Sequence, residues 1–190
     1  MDAPMSVLSF VAASLAILLT PGPTNTILAA SGAAMGLRKA LHLPLAEALG
    51  YALAVSLFLL LQEPFHGMPA ALAVMRAIAS AWLLVSAVRL WRRPVVPDIK
   101  ARQGAFWRVL VTTMLNPKAM LVGTIVIPGL MADSQPAGVA CFVLLSSLAG
   151  IGWTALGAAL PAALRRHSYR AAALIVGGFS VAAAISAAHA

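Results

Sequence analysis

The sequence predicts an all-α fold, a polytopic membrane bundle of about six transmembrane helices. Composition is the first reason: of 190 residues, 62% are hydrophobic and 9% charged, where an ordinary soluble domain carries about 25% charged residues. The second is that apolar runs long enough to cross a ~30 Å hydrocarbon layer recur along the whole chain. The third is that two of these runs are broken by proline at matching places in the two halves, which points to a 3+3 inverted repeat with helices 1 and 4 interrupted.

The spans are predicted near Met5–Ala30, Leu41–Leu61, Met68–Leu90, Phe106–Met131, Pro136–Leu160 and Arg170–Ala187. The N-terminus begins Met1-Asp2-Ala3-Pro4, with an acid where a cleaved signal needs a basic segment, so the first apolar run reads as a retained span. Connections are short, and the longest runs from Trp91 to Ala105, where Pro94, Pro97 and Asp98 interrupt the apolar pattern. Residues 1–190 therefore form a single transmembrane domain, with halves of about 1–92 and 104–190 joined by that basic loop.

The net charge of +8 would suggest a nucleic-acid partner in a soluble protein. Here the cations sit between apolar runs and act as topology signals. Arg38 and Lys39 lie in the first loop, Arg89, Arg92, Arg93, Lys100, Arg102 and Arg108 in or beside the third, and Arg165, Arg166 and Arg170 in the fifth. Together they are eleven of the thirteen basic residues. Loops two and four carry only Glu63 and Asp133. The positive-inside rule then places both termini outside and the basic loops in the cytoplasm. The partner expected from composition is the lipid bilayer, not nucleic acid. The single cysteine, Cys141, lies in an apolar run and reads as a small packed hydrophobe, with no disulfide or metal cluster and no cofactor expected.

The strongest local signal is Thr20-Pro21-Gly22-Pro23-Thr24-Asn25-Thr26. Each proline lacks an N–H and clashes with the carbonyl four residues back, so Ile17 and Leu19 lose their helical partners. Free carbonyls in hydrocarbon are tolerated only where they face protein or a water-filled cavity. Beyond the break, Thr24, Asn25 and Thr26 are placed to cap a restarted helix whose N–H groups favour an anion. Carbonyls for an ammonium and N–H groups for a carboxylate together suit a zwitterion. A structural kink is the alternative.

Asn116-Pro117-Lys118 is the second break. Pro117 is expected to free the Thr113 carbonyl, and Asn116 brings an amide with donors and an acceptor. Lys118 lies about twelve residues, roughly 18 Å, into its span, a depth at which a charge marks a pathway or a paired site. It either binds a substrate carboxylate or pairs with Glu47. Glu47, the one acid within a predicted span, is the proton-coupling candidate. It could instead meet a substrate ammonium, or merely neutralise Lys118, Arg38 or Lys39. Arg76 reads as snorkelling or paired, and His42 as interfacial. Gly150, Gly152, Gly157 and Gly177-Gly178 read as ordinary membrane-helix glycines permitting helix approach. Trp82, Trp91, Trp107 and Trp153 fall partly at span ends, where aromatics anchor to headgroups. HExxH, GxSxG and GxxxxGK are absent, so ATP-driven transport and familiar intramembrane hydrolysis lack their chemistry, and no enzyme is expected.

Two stretches resemble the LysE/RhtB family of amino-acid exporters. One is Leu18-Leu19-Thr20-Pro21-Gly22-Pro23 with Gly36-Leu37-Arg38. The other is Leu115-Asn116-Pro117-Lys118-Ala119 followed by Ile127-Pro128. Order, spacing and length fit over nearly the whole chain. The family's G-x-x-Y-L in span three is here Ala79-Ser80-Ala81-Trp82-Leu83, and glycine-rich positions in span two are partly replaced around Glu47 and Gly50. The resemblance implies a secondary transporter of the bacterial inner membrane, exporting an amino acid or similar zwitterion and driven by the proton gradient. Its substrate-binding residues would be Pro21, Gly22, Pro23, Thr24, Asn25, Asn116, Pro117 and Lys118, with Glu47 for proton coupling. A passive channel and a non-transporting scaffold are the rival readings. A homodimer is one assembly compatible with it.

Overall fold

The computed structural model describes residues 3–65, 69–92, 99–161, 163 and 167–188. Every long element among them is helical: α1 (Ala3–Leu19), α2 (Pro23–Met35), α3 (Leu37–Ala40), α4 (Leu43–Phe65), α5 (Pro69–Trp91), α6 (Ile99–Met114), α7 (Pro117–Leu121), α8 (Ile127–Leu130), α9 (Gln135–Ala158) and α10 (Ser168–Ala188). A π-helical turn, Val122–Val126, links α7 to α8, and a short 3₁₀ turn, Ala132–Ser134, precedes α9. The chain is thus a polytopic helical bundle. The interruption expected at Pro94, Pro97 and Asp98, and the charges of Arg93, Arg165 and Arg166, lie outside the described residues. So do the side chains of Arg76, Lys100 and Arg102.

Two segments, Leu37–Leu61 and Ala132–Ala158, are straight, long and apolar enough to cross a membrane. Two bent pairs meet the same test together: Val7–Leu19 with Pro23–Met35, bent by 59°, and Gly104–Met114 with Pro117–Leu130, bent by 41°. Both bends fall where proline removes the N–H that would have continued the helix. α5 and α10 add the described apolar stretches Ser80–Trp91 and Arg170–Ala182.

The outer surface is apolar. Leu45, Leu49, Leu53, Leu57 and Leu60 of α4 and Leu144, Leu148, Ile151 and Leu156 of α9 are all exposed. Such stripes would aggregate in water, and in a bilayer they face solvent of their own kind.

Packing is exchanged between the halves. α2, which follows the first break, lies along α9 of the second half, while α6, which leads into the second break, lies along α4 of the first. α4 and α9 also pack on each other, as do α5 and α10. Ser80 and Ser180 join the latter pair reciprocally, each hydroxyl donating to the other's carbonyl at 2.9 and 2.8 Å. Two apolar cores result. One draws on α2, α4, α5, α6 and α10, with Ile27, Leu28, Leu43, Leu83, Leu90 and Val176 fully buried. The other draws on α1, α4, α7, α9 and the π turn, with Phe10, Leu18, Tyr51, Val55, Val122 and Phe142. Met114, the last residue of α6, touches both, so the second break lies at their junction.

The first half turns at Gly36, whose φ of 77° is a left-handed conformation that costs glycine little. Its N–H donates to Gly32 at 2.8 Å and ends α2, and Arg38 and Lys39 follow exposed on α3.

Candidate functional site

Between Leu19 and Pro23 the chain leaves the helix. Gly22 is extended, at φ −162° and ψ 174°, and forms the cap residue of α2 with no side-chain hydrogen bond. The expected capping by Thr24, Asn25 and Thr26 is therefore not what forms. Pro23 occupies the first helical position, its fixed φ suited to starting a helix, which moves the three polar residues inside the first turn. From there Thr26 folds back, its N–H and hydroxyl both reaching the Gly22 carbonyl at 2.9 and 2.8 Å.

Asn25 does a different job. Buried to 2% exposure, its Nδ2 donates backwards across the break to the carbonyls of Leu18 at 2.8 Å and Thr20 at 3.0 Å. Two more donors converge on the same pair. Trp153 Nε1 from α9 reaches the Leu18 carbonyl at 3.3 Å, and the Lys118 ammonium from the second break donates to the Thr20 carbonyl. The sequence points to the carbonyls of Ile17 and Leu19 as the freed ones; those gathered here are Leu18 and Thr20, and both have donors from the protein itself. An unpaired carbonyl in a low-dielectric interior would cost several kcal/mol, and these donors remove that penalty.

The second break is tighter. Asn116, at φ −79° and ψ 127°, caps α7, its Oδ1 accepting from the Lys118 N–H at 3.0 Å. The Thr113 carbonyl, expected to be free, accepts from the Asn116 N–H at 3.1 Å, because the chain tightens to a three-residue turn before Pro117. It is the Thr113 side chain that bridges. Its Oγ1 lies 3.2 Å from Thr24 Oγ1 and 2.8 Å from the Val109 carbonyl. Asn116 Nδ2 donates to that same Thr24 hydroxyl at 3.2 Å. Thr24 is wholly buried and is the point where the two breaks meet.

Among the residues singled out in the sequence, Gly22, Thr24, Asn25, Asn116 and Lys118 are gathered in one network. Pro21 and Pro117 are exposed at its rim, while Pro23 is buried at the start of α2. Gly22 has a second use, since a β-carbon there would lie 3.1 Å from both Cε and Nζ of Lys118. The bare backbone lets the ammonium cross. Glu47 stands outside the hydrogen-bond network, 1% exposed on α4. It is in electrostatic contact with Lys118, yet no ion pair forms among the described residues, and Oε2 has no hydrogen-bond partner.

Thr113 and Trp153 escaped the sequence reading. Thr113 was legible as the residue four before Pro117, but its carbonyl drew the inference and its hydroxyl makes the link. Trp153 is one of four tryptophans that fall only partly at span ends, and its indole binds a break carbonyl from the neighbouring helix. Gly150 and Gly157, taken as ordinary glycines, both sit at close approaches: a β-carbon on Gly150 would strike Glu47 Oε2, and one on Gly157 the Ala29 carbonyl. For Gly152 and Gly178 the ordinary reading stands, since nothing lies within 4 Å of the position a β-carbon would take.

Asn25 yields a direct prediction. Asn25→Asp keeps the shape but removes both donors and turns an anion toward two carbonyls. Trp153 and Lys118 still serve the two carbonyls, so the cost is that of a buried carboxylate without a donor, about 3–5 kcal/mol, and the variant should elute largely as aggregate on size-exclusion chromatography in detergent. A monodisperse peak of unchanged thermal midpoint would show that the Leu18 and Thr20 carbonyls do not depend on this amide.

The family model for LysE type translocators matches residues 15–188, which include both breaks, Glu47 and Gly150. Comparison with curated proteins and with solved structures returned no match. The match spans most of the chain, and the chain belongs to the LysE type translocator family.

Proposed function

We propose that this LysE-type translocator is a proton-driven secondary transporter that exports an amino acid or a similar small zwitterion from the cytoplasm, with its solute site between the two broken spans. The observation that carries the reading is the meeting of the breaks at one buried hydroxyl: Thr24 from the first half holds Asn116 and Thr113 from the second. Interrupted helices that converge near the membrane midplane are where inverted-repeat transporters hold their solutes. The exchange of packing partners between the halves, α2 on α9 and α6 on α4, supports such a repeat.

In this reading Thr24, Asn25 and Asn116 shape the polar floor. Lys118 attracts the solute carboxylate, assisted by the open N-terminus of α2, where Gly22 supplies no side-chain cap and the N–H groups of the first turn favour an anion. Glu47 is the one acid placed to carry a coupling proton. Pro21, Gly22, Pro23 and Pro117 create the discontinuities that alternating access would flex. Following the distribution of Lys and Arg, both termini lie outside a bacterial inner membrane.

The test is efflux from cells, and then from proteoliposomes, loaded with the twenty amino acids and followed by mass spectrometry of the external medium. Uphill efflux of one or a few amino acids, abolished by an uncoupler, is the expected result. Downhill flux indifferent to the uncoupler would establish the passive channel instead, and no flux at all the scaffold. Thr24→Val keeps the shape but strips the shared acceptor from Asn116 and Thr113. It should cut uphill efflux about tenfold, matching loss of one buried hydrogen bond. Full activity would place the solute away from the meeting of the breaks.

A further inference from the structure

We propose that Glu47, seated in the notch that Gly150 leaves in α9, receives the primary ammonium group of the solute, and that this ammonium and the coupling proton compete for its carboxylate; the inference rests on the exporter reading above. Two acceptors at the first break are already taken, the Leu18 carbonyl by Asn25 and Trp153 and the Thr20 carbonyl by Asn25 and Lys118. A solute ammonium would have to displace the protein's own donors there. Glu47 Oε2 is a buried acceptor without a partner, on the one carboxylate among such groups in the described residues. One turn along α4, the Tyr51 hydroxyl is likewise buried and unpartnered, as is the Ser14 hydroxyl of α1. Buried polar atoms are nearly always paired in folded proteins, so several orphans along one core point to a ligand.

Charge favours the same assignment. Lys118 and Glu47 interact electrostatically but form no ion pair, because the ammonium is committed to the Thr20 carbonyl. A zwitterion set between them would give its carboxylate to Lys118 and its ammonium to Glu47. Gly150 shapes the acidic end: a β-carbon there would overlap Oε2 and approach Pro44 Cβ to 3.3 Å. Few other charges bear on Glu47. Tyr51 lies on its own helix, α2 and α9 carry no charged side chain, and the buried Arg108 of α6 has interactions of its own.

Competition at a single carboxylate would supply the coupling. With Glu47 protonated the negative charge that holds the ammonium is gone, and with the ammonium bound there is no room for the proton. A carrier that crosses with one or the other exchanges an inbound proton for each outbound solute. Solutes without an N–H on the ammonium, such as trimethylated amino acids, would be excluded.

The full-length protein in lipid nanodiscs is treated with dicyclohexylcarbodiimide and increasing methylammonium chloride, and its carboxyls are mapped by peptide mass spectrometry. The carbodiimide adds to a protonated carboxyl as the O-acylisourea, which rearranges by acyl transfer to nitrogen into the stable N-acylurea; a carboxylate paired with an ammonium has no proton to give and does not react. The expected result is carbodiimide labelling of Glu47 that methylammonium suppresses saturably, while the exposed Asp133 shows no saturable loss. Gly150→Ala should raise the half-protecting methylammonium concentration at least about tenfold, the loss of roughly one charge-assisted contact. Gly152→Ala, in open space, should leave it unchanged. A Glu47 that stays unlabelled without methylammonium, or whose labelling methylammonium does not suppress, overturns the proposal. If Gly150→Ala does not fold, the saturation curve of the parent chain decides alone. Efflux by a protein whose Glu47 methylammonium does not protect sinks this subsite and leaves the exporter reading intact, whereas protection without efflux sinks the exporter reading and leaves the subsite.

Discussion

Replacing Gly157 by alanine is expected to lower the thermal unfolding midpoint of the detergent-solubilised protein more than alanine at any other glycine of α9. The reason lies in what the missing side chain faces. A β-carbon on Gly157 would overlap the Ala29 carbonyl and lie 2.7 Å from the Ala29 Cα. A reciprocal contact sits about one turn away, where one on Gly32 would overlap the Thr154 carbonyl and come 3.2 Å from the Ala158 nitrogen. These are backbone atoms within helices, so no rotamer change relieves the clash, and α2 and α9 must move apart as bodies. Overpacking of this sort costs about 1–3 kcal/mol where side chains can yield, and a backbone collision belongs at or above the top of that range. The consequence reaches function, because α2 carries Thr24 and Asn25 while α9 carries Gly150 and Trp153. Gly152→Ala is the internal control, having no atom within 4 Å, and should unfold with the parent. Coincident unfolding of the two variants would mean that α2 and α9 are not in backbone contact.

The helices and the breaks were legible because they follow from chemistry local in sequence. Length and apolarity mark the spans, and a proline removes a hydrogen bond wherever the chain runs. Both straight spans, Leu37–Leu61 and Ala132–Ala158, and both bent ones overlap the predicted segments. What the breaks bind could not be read the same way. The Leu18 carbonyl is satisfied by Trp153, 135 residues away, and the Thr20 carbonyl by Lys118, 98 residues away. Those partnerships depend on which face of α9 and α7 meets α1, and helix packing decides that. The glycines illustrate the same limit. Gly152 and Gly157 look alike in an apolar helix, yet one faces open space and the other a backbone. Residue type reports that close approach is permitted, not that it occurs. Asn25 is an intermediate case: its polarity marked it, but its direction, back toward α1 and not onward into α2, followed from Pro23 taking the first helical position.

Lys118 offers the largest functional effect, because charge and shape can be separated there. Lys118→Met keeps the aliphatic stem and removes the ammonium, so it strips one donor from the Thr20 carbonyl and the attraction for a solute carboxylate. Efflux should fall by about two orders of magnitude, the scale expected when a buried charge-assisted contact is lost. Lys118→Arg keeps the charge and should still fail. The ammonium crosses Gly22 so closely that even a β-carbon there would be 3.1 Å from Cε and Nζ, and a planar guanidinium is wider than the slot that admits a single nitrogen. We expect less than about a tenth of the parent rate for the arginine variant, measured as efflux normalised to protein in the membrane. Gly22→Ala should fall between, since the end of the lysine chain can shift by a few tenths of an ångström to make room. Recovery of parent activity by arginine would show that Lys118 acts as a diffuse positive field, and the close fit between the two breaks would then have no part in choosing the solute.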